Sequence, residues 1–445
     1  MPCNKPHKRI KKKLTTIAKP VVDLSQAQEV RTLCVLLVIH AVVSYRSVPR
    51  ILNLFKSSTG FGWGWVPHFT SVINWTLRLG LGLLKQVQPI SEPWLGIIDH
   101  SIDIGTKKAL VVLRVPVAAL SLRGSAIQLA DCECIGLKVC ERVNGESIAQ
   151  DLEDIFSQAG KPQAIIKDSD YTLQKGVRLW SEKQGVDIPV IADIGHSMAT
   201  ALKNQFEKTD AYKRFISLSH QGANRLRQTE LAFLIPPKLR NKGRFQSISA
   251  LGQWADKILA IFAVQGRAKK GSVLARLRKA LPGFLRLKPF IKSFANTAQV
   301  VSAVMEILKN KGLDSTHYEH CYRLSETLPK NSKVRQHLQQ WLQQHLLIQQ
   351  GLTELPLLVS SDIIESLFGN FKHIIERSPQ ADMNRTTLLI PALCGNLDKA
   401  TMTQALGHAS HRDLESWENE NIPYTLRKKR QAFFDQIESQ KVGEK

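Results

Sequence analysis

Acidic residues are scarce in this chain of 445 residues: 38 Asp and Glu stand against 61 Lys and Arg, leaving a net charge of +23. A field of that sign works against basic partners and favours polyanions, most often nucleic acid and less often an acidic membrane surface. Cysteine is also sparse, with seven residues and no CxxC pair, which argues against a zinc ribbon or finger. The one cluster, Cys132-x-Cys134 with Cys140, lies in a strand-like pattern and reads as buried thiols of a reducing compartment. Long apolar runs are missing too. The best, Thr32–Val43, is interrupted by His40 and falls short of the ~20 residues that span a bilayer. No cleavable signal follows the basic N-terminus. The expectation is a cytoplasmic protein without a membrane partner, held at the nucleoid through DNA. A hydrophobic fraction of 43% and a charged fraction of 22% are those of a globular protein. The length suggests about two to four domains.

The organising stretch runs from Trp94 to His196. An apolar run ends at Asp99, a polar turn follows around Gly105–Lys108, and a second apolar run starts at Ala109. A third strand-like run ends at Cys140. Then a helical pattern closed by Gly160, a short run ending at Asp168, another helix, and a fifth run lead to Asp193 and His196. Three strands in a row followed by strand–helix alternation predict an α/β fold with a mixed sheet flanked by helices. In open sheets of this kind, ligands bind just beyond the carboxyl ends of strands.

Ahead of this stretch lies a basic arm, Met1–Lys13, which is either solvated or laid along phosphates. Helical patterns follow over Leu24–Val43, Arg46–Lys56 and Pro67–Lys85. They suit a helix-turn-helix module whose reading helix exposes Thr70, Asn74 and Arg78; a plain helical bundle fits equally well. After about Ala201 the pattern is helical and basic. Between Pro236 and Lys292 fourteen Lys and Arg meet one acid, Asp256. Within that run Arg240, Lys242, Arg244, Lys269 and Lys270 are candidate phosphate contacts. Trp254 and Trp341 sit on amphipathic helices, as core residues or as rings that stack on an unpaired base. A later helix, with Ser360 or Ser361 as its cap, carries Glu365 in its first turns and Lys372 two turns on, on the same side.

Asp99 and Asp168 end strands that should be neighbours, and two buried carboxylates placed side by side do not readily both stay ionised. A divalent cation resolves that, and oxygen-only ligands favour Mg²⁺ or Mn²⁺. Two such ions would align an in-line attack on a phosphodiester. Asp103, four residues on from Asp99, and Asp170, two residues on from Asp168, are the rival acids.

On these residues the chain resembles a DDE/D transposase with a ribonuclease-H-like catalytic domain, over roughly Trp94 to Arg377. The resemblance implies that Asp99, Asp168 and Glu365 are the catalytic, metal-binding acids. Asp193-Ile-Gly-His196 is similar to the C/D-x-x-H signature of several cut-and-paste superfamilies, which implies that Asp193 and His196 join the catalytic set, His196 in a supporting role. Glu365-Ser-Leu-Phe-Gly-Asn-Phe-Lys372 is similar to the helix of insertion-sequence transposases in which the Lys contacts end DNA. The Tyr and Arg of that bacterial signature are replaced by Leu358 and Ser361. The long interval between Asp168 and Glu365 matches an α-helical insertion. The implied domains are an N-terminal helical DNA-binding domain (1–88), a ribonuclease-H-like domain in two parts (89–200 and 355–400), the basic insertion (201–354) and a helical tail (401–445). The implied activity is cleavage at transposon ends and strand transfer into target DNA, by a homodimer or larger assembly in a synaptic complex on double-stranded DNA. A nuclease of the same fold without strand transfer, or a domesticated and catalytically silent DNA-binding protein, are the alternatives.

Overall fold

The structure is a computed structural model describing residues 24–59, 65–104, 107–123, 126–140, 143–238, 245, 248–263, 266–376, 384–423 and 425–443. The candidates Arg240, Lys242 and Arg244 lie outside the described residues, as does the arm Met1–Lys13. The chain divides into two compact units between Thr76 and Leu77.

In the first unit, α1 (Leu24–Ile39) packs on α2 (Ser47–Thr59) through Val30, Cys34, Val35, Val38, Val48 and Leu52. Helix α3 (Phe69–Lys85) begins in this unit and ends in the second. At its start, Arg46 lies over Phe69 and Arg31 over Trp75, at 5.2 and 5.5 Å from the ring centroids. Its second half has Leu77, Leu79 and Leu81 buried in the second unit. There Gly80 and Gly82 let the helix backbone press on carbonyls: a Cβ at Gly80 would stand 1.6 Å from the Leu388 oxygen, and one at Gly82 1.9 Å from that of Ala405.

The second unit is built on a five-stranded mixed sheet of order β3-β2-β1-β4-β5. Strands β1 (Trp94–Ile104), β2 (Lys107–Pro116) and β3 (Glu133–Cys140) form an antiparallel meander. The short strands β4 (Ala164–Lys167) and β5 (Val190–Ala192) join it in parallel. The second apolar run does not stay extended throughout: Pro116 closes β2 and Val117–Arg123 turns into α4. Helix α5 (Gly145–Ala159) carries the capping box of Asn144 and Ser147, and Gly160 ends it at φ +86°. Helix α6 (Tyr171–Gln184) is capped by Asp170. Both cover one face of the sheet. Trp94, Ile98, Val112 and Ile165 meet Ile148, Leu152, Phe156, Val177 and Trp180 in one apolar core. Side chains alternate along a strand, so Ile97 and Asp99 face the opposite side, where α7 (Ile194–Phe206) and α14 (Asp362–Ile375) lie.

Between α7 and α14 the described chain is almost wholly helical: α8 (Asp210–Leu226), α9 (Ile248–Phe262), α10 (Val273–Ala280), α11 (Lys288–Lys311), α12 (Ser315–Glu326) and α13 (Lys333–Leu352). Its core is aromatic, with Tyr212, Phe215, Phe284, Phe290 and Phe294 in mutual ring contact. Helix α13 ties this region to the sheet. As an edge strand β5 has unpaired backbone groups, and α13 supplies their partners. His345 Nε2 accepts from Ala192 N at 3.0 Å, and Trp341 Nε1 donates to Ala192 O at 3.2 Å. Trp341 is therefore a core residue, stacked on His345 at 4.0 Å. The chain finishes in α15 (Lys399–His408), α16 (His411–Asn421) and α17 (Leu426–Gly443).

The six described cysteines are free, five of them buried. Burial pushes the thiols of Cys132 and Cys134 up to about 12. Among the described residues, no helix is long and apolar enough to cross a membrane.

Candidate active site

Strand register brings the first two acids together. Ile98 pairs with Lys167 in parallel, so Asp99 and Asp168 come next along neighbouring chains, which run about 4.8 Å apart. By alternation both belong to the face away from α5 and α6. The expectation that the first strand ends at Asp99 is corrected here. β1 continues to Ile104, and Asp99 stands at a register shift between Asp99 and Ile102 in its pairing with β2. A bulge of this kind re-aims side chains in mid-strand. Asp99 is buried, with Oδ1 accepting from His100 N at 2.6 Å. The rival Asp103 is a strand residue paired with Lys108, not a turn residue. The rival Asp170 is committed elsewhere: its Oδ1 accepts from Thr172 N and Leu173 N and starts α6.

The third acid arrives from far along the chain. Helix α14 places Glu365 in its first turn, half-exposed, and its Oε1 is 3.2 Å from His196 Nε2. The other ring nitrogen, Nδ1, is 3.7 Å from Asp168 Oδ2. One imidazole thus spans Asp168 and Glu365. The hydrogen bond to Glu365 raises its pKa, with the charges of Asp193 and Asp168 adding to it against the opposing effect of burial, and it reaches about 9. His196 is therefore an imidazolium at neutral pH, a cation standing between two carboxylates.

Asp193 has a different part from the one the signature suggested. It is 1% exposed, and its Oδ1 caps α7 by accepting from His196 N at 2.7 Å. Its Oδ2 accepts from Ser361 N at 2.7 Å and Ser361 Oγ at 3.1 Å. Ile194 N donates to Val359 O at 3.0 Å. Asp193 is a buried clasp that fixes the start of α14 against the start of α7, and so sets Glu365 beside His196. Both of its oxygens are taken up by these buried contacts. Ser361, read from sequence as a helix cap, turns its hydroxyl to Asp193 and makes no side-chain cap bond of its own. Lys309 Nζ adds a 2.5 Å pair to Asp362 Oδ2 at the same helix start.

Sequence reasoning missed two buried neighbours. His100, 7% exposed, has Nε2 3.4 Å from Asp170 Oδ1 but poorly aligned for a hydrogen bond. Lys167, 4% exposed, bonds Asp168 O at 3.0 Å, and burial lowers its pKa. A charged residue at the last position of an all-buried strand was the available signal.

The other candidates divide. Lys372 is exposed on α14, two turns from Glu365. Lys269 and Lys270 are exposed in the loop before α10 with Arg267, and Lys257 on α9 and Lys279 on α10 are exposed as well. Arg276 pairs with Glu230, and Lys292 with Asp256 at 2.7 Å. Arg78 is not a reading residue: its guanidinium donates to Ala409 O and Leu406 O, at 2.6 and 2.7 Å, closing the end of α15. Trp254 is not a free stacking platform: Nε1 donates to Leu234 O at 2.9 Å, and the ring packs edge-on against Phe284 at 5.8 Å.

As they stand, no three His, Cys, Asp or Glu side chains among the described residues are arranged to enclose a metal ion. The donor types around His196 are nonetheless carboxylates, the hard oxygen ligands that Mg²⁺ and Mn²⁺ prefer.

No family model matches this sequence, and no curated protein matches it. Among solved structures the chain is similar to the Drosophila P element transposase strand transfer complex, with a TM-score of 0.41 and 11% identity over 87% of this chain and 93% of that chain.

Proposed function

We propose that this chain is a DDE/D-type transposase that cleaves DNA at transposon ends and joins the freed 3′ hydroxyl to target DNA. The observation that carries the reading is the meeting of Asp168 and Glu365 on the two nitrogens of His196, with Asp99 one strand over on the same face of the sheet. Three acids so distant in sequence have no local reason to converge. A five-stranded mixed sheet of order β3-β2-β1-β4-β5, with an antiparallel β2 and a helix bearing the last acid, supports the ribonuclease-H-like reading.

Asp99, Asp168 and Glu365 would hold Mg²⁺ or Mn²⁺. When bound, such ions lower the pKa of a water and neutralise charge on the phosphoryl group. The protein's own part is placement. The Asp193–Ser361 clasp fixes Glu365, the bulge aims Asp99, and His196 holds a proton beside Asp168 and Glu365. The exposed cations of the helical insertion, with Lys372, offer phosphates a sequence-independent track. We place the protein on double-stranded DNA at the nucleoid, in a synaptic assembly of two or more copies, as the product of an insertion sequence.

The test is Mg²⁺-dependent cleavage of the inverted repeats flanking the gene by the wild type and by Asp99→Ala, Asp168→Ala and Glu365→Ala. Cleavage by the wild type alone is expected. Equal cutting by all four overturns the site. Cleavage without joining reduces the reading to a nuclease of this fold, and binding without cleavage by any of them reduces it to a silent DNA-binding protein.

A further inference from the structure

Helix α11 runs 24 residues, from the aromatic core of the insertion at Phe290 and Phe294 to the start of α14. Its last turn carries Lys309, whose ammonium meets Oδ2 of Asp362, the first residue of α14, at 2.5 Å. The same ammonium lies against the start of α7. A Cβ at Gly195 would stand 3.4 Å from Lys309 Nζ and 3.1 Å from Asp193 Oδ1. A side chain at residue 195 would crowd both contacts that hold the start of α14, and glycine leaves them room. Three elements thus meet at one cation. Two of them, α7 and α14, carry His196 and Glu365, which touch each other in the candidate site.

The backbone around this contact is held without it. Gly312 ends α11, and the next residue, Leu313, exchanges two backbone hydrogen bonds with Leu357, at 3.0 and 2.8 Å, four residues ahead of Ser361. Both leucines are fully buried. The ion pair itself is open. Lys309, Asp362, Glu306, Asn310 and Ser366 line a cleft of about 430 Å³, and the paired side chains are 26% and 49% exposed. A pair in that much water adds little to the stability of a fold, so its effect is local. Asp362 and Glu365 are three residues apart on one helix, which makes them neighbours on its surface, and like charges there repel. The Lys309 ammonium holds Asp362 and offsets its charge. Without it, Asp362 can swing into the cleft, and its charge acts unopposed on Glu365.

We propose that Lys309, a residue of the helical insertion, is a positioning residue for the candidate catalytic helix, seating Asp362 and through it Glu365. Its link to cleavage rests on the transposase reading; hydrogen exchange in the full chain without DNA does not. Exchange at the amides of Ser361 and Ile364 should quicken in Lys309→Ala, while Phe371 and Ile374 near the far end of α14 keep their wild-type rates. Adding Asp362→Asn to Lys309→Ala should slow exchange again in part, because the unopposed charge is gone. Lys309→Arg, which keeps the cation, should match the wild type. In cleavage of end DNA, Lys309→Ala should lower kcat by about tenfold to a hundredfold, the scale of a small misplacement at a reacting centre. Melting temperature, DNA dissociation constant and the salt slope of binding should stay as in the wild type, and Lys309→Arg should keep most of the rate. Unchanged exchange in Lys309→Ala, or no recovery on adding Asp362→Asn, overturns the proposal whether or not the wild type cleaves. A rate lost in step with DNA affinity overturns it by making Lys309 a phosphate contact, and a general fall in melting temperature by making the pair a strut of the fold. Exchange that behaves as stated in a wild type that does not cleave sinks the transposase reading alone and upholds the seating of α14.

Discussion

Replacing Asp193 by alanine strands three donors at once. His196 N, Ser361 N and Ser361 Oγ all turn to this one carboxylate, at 2.7, 2.7 and 3.1 Å, in a site where Asp193 is 1% exposed. A buried donor left without an acceptor costs about 1–3 kcal/mol. Water entering the vacated volume recovers part of that, so Asp193→Ala should destabilise by roughly 3–5 kcal/mol, at the upper end for single substitutions. Ser361→Ala removes only the hydroxyl bond and should cost about 1 kcal/mol. Asp193→Asn keeps one acceptor oxygen but turns an NH₂ toward a donor, and should fall between the two. Because residues 193 and 361 touch, the double variant should show a coupling of at least about 0.5 kcal/mol. Thermal and urea unfolding in the presence of chelator give the magnitudes. Hydrogen exchange at the amides of Ser361 and Asp362 gives a local readout, which should rise in Asp193→Ala before any global change. Cleavage should fall with it, because Glu365 loses its seat beside His196. A loss below about 1 kcal/mol, or strict additivity with Ser361→Ala, would refute the clasp.

Three further outcomes are expected. Burial holds His345 well below its ordinary 6.5, at about 4, with Nε2 accepting from Ala192 N and Nδ1 bonded to Trp341 O. The unfolded chain therefore binds a proton first, and stability drops as pH falls from about 6.5 to about 4, by roughly 3 kcal/mol in all; a wild-type minus His345→Gln difference curve that is flat across this window contradicts it. Gly80→Ala should cost about 3 kcal/mol by overpacking, since its Cβ would stand 1.6 Å from the Leu388 oxygen, whereas Gly369→Ala, with open space around it, should be neutral or stabilising; equal melting temperatures for the two dispose of the close approach. Lys269→Ala/Lys270→Ala should weaken DNA binding evenly across sequences and lower the salt slope by about 1 per lost phosphate contact; an unchanged slope removes these residues from the interface.

What the sequence determined is what local rules govern. Period-two runs with short helical patterns between them specify three strands and then alternation, because each element's apolar face has one period. Asn144, Asp170 and Asp193 cap helices by bonding amides two or three residues on, a local contact that reading Asp170 and Asp193 only as acids passes over. Asp168 was legible as the acid beyond a buried strand. Tertiary structure decided the rest. The bulge at Asp99 depends on pairing with β2, and no residue in β1 signals it. Arg78 was assigned to DNA because its helix face is exposed in isolation; the carbonyls of Leu406 and Ala409 that occupy it come from the far end of the chain. Trp254 and Trp341 look alike as amphipathic residues until Leu234 O and Ala192 O claim their indole protons. Glu365 reaches His196 because Asp193, from one helix cap, takes hold of Ser361 at the start of another. A carboxylate has two oxygens, and sequence shows only the one spent on its own helix.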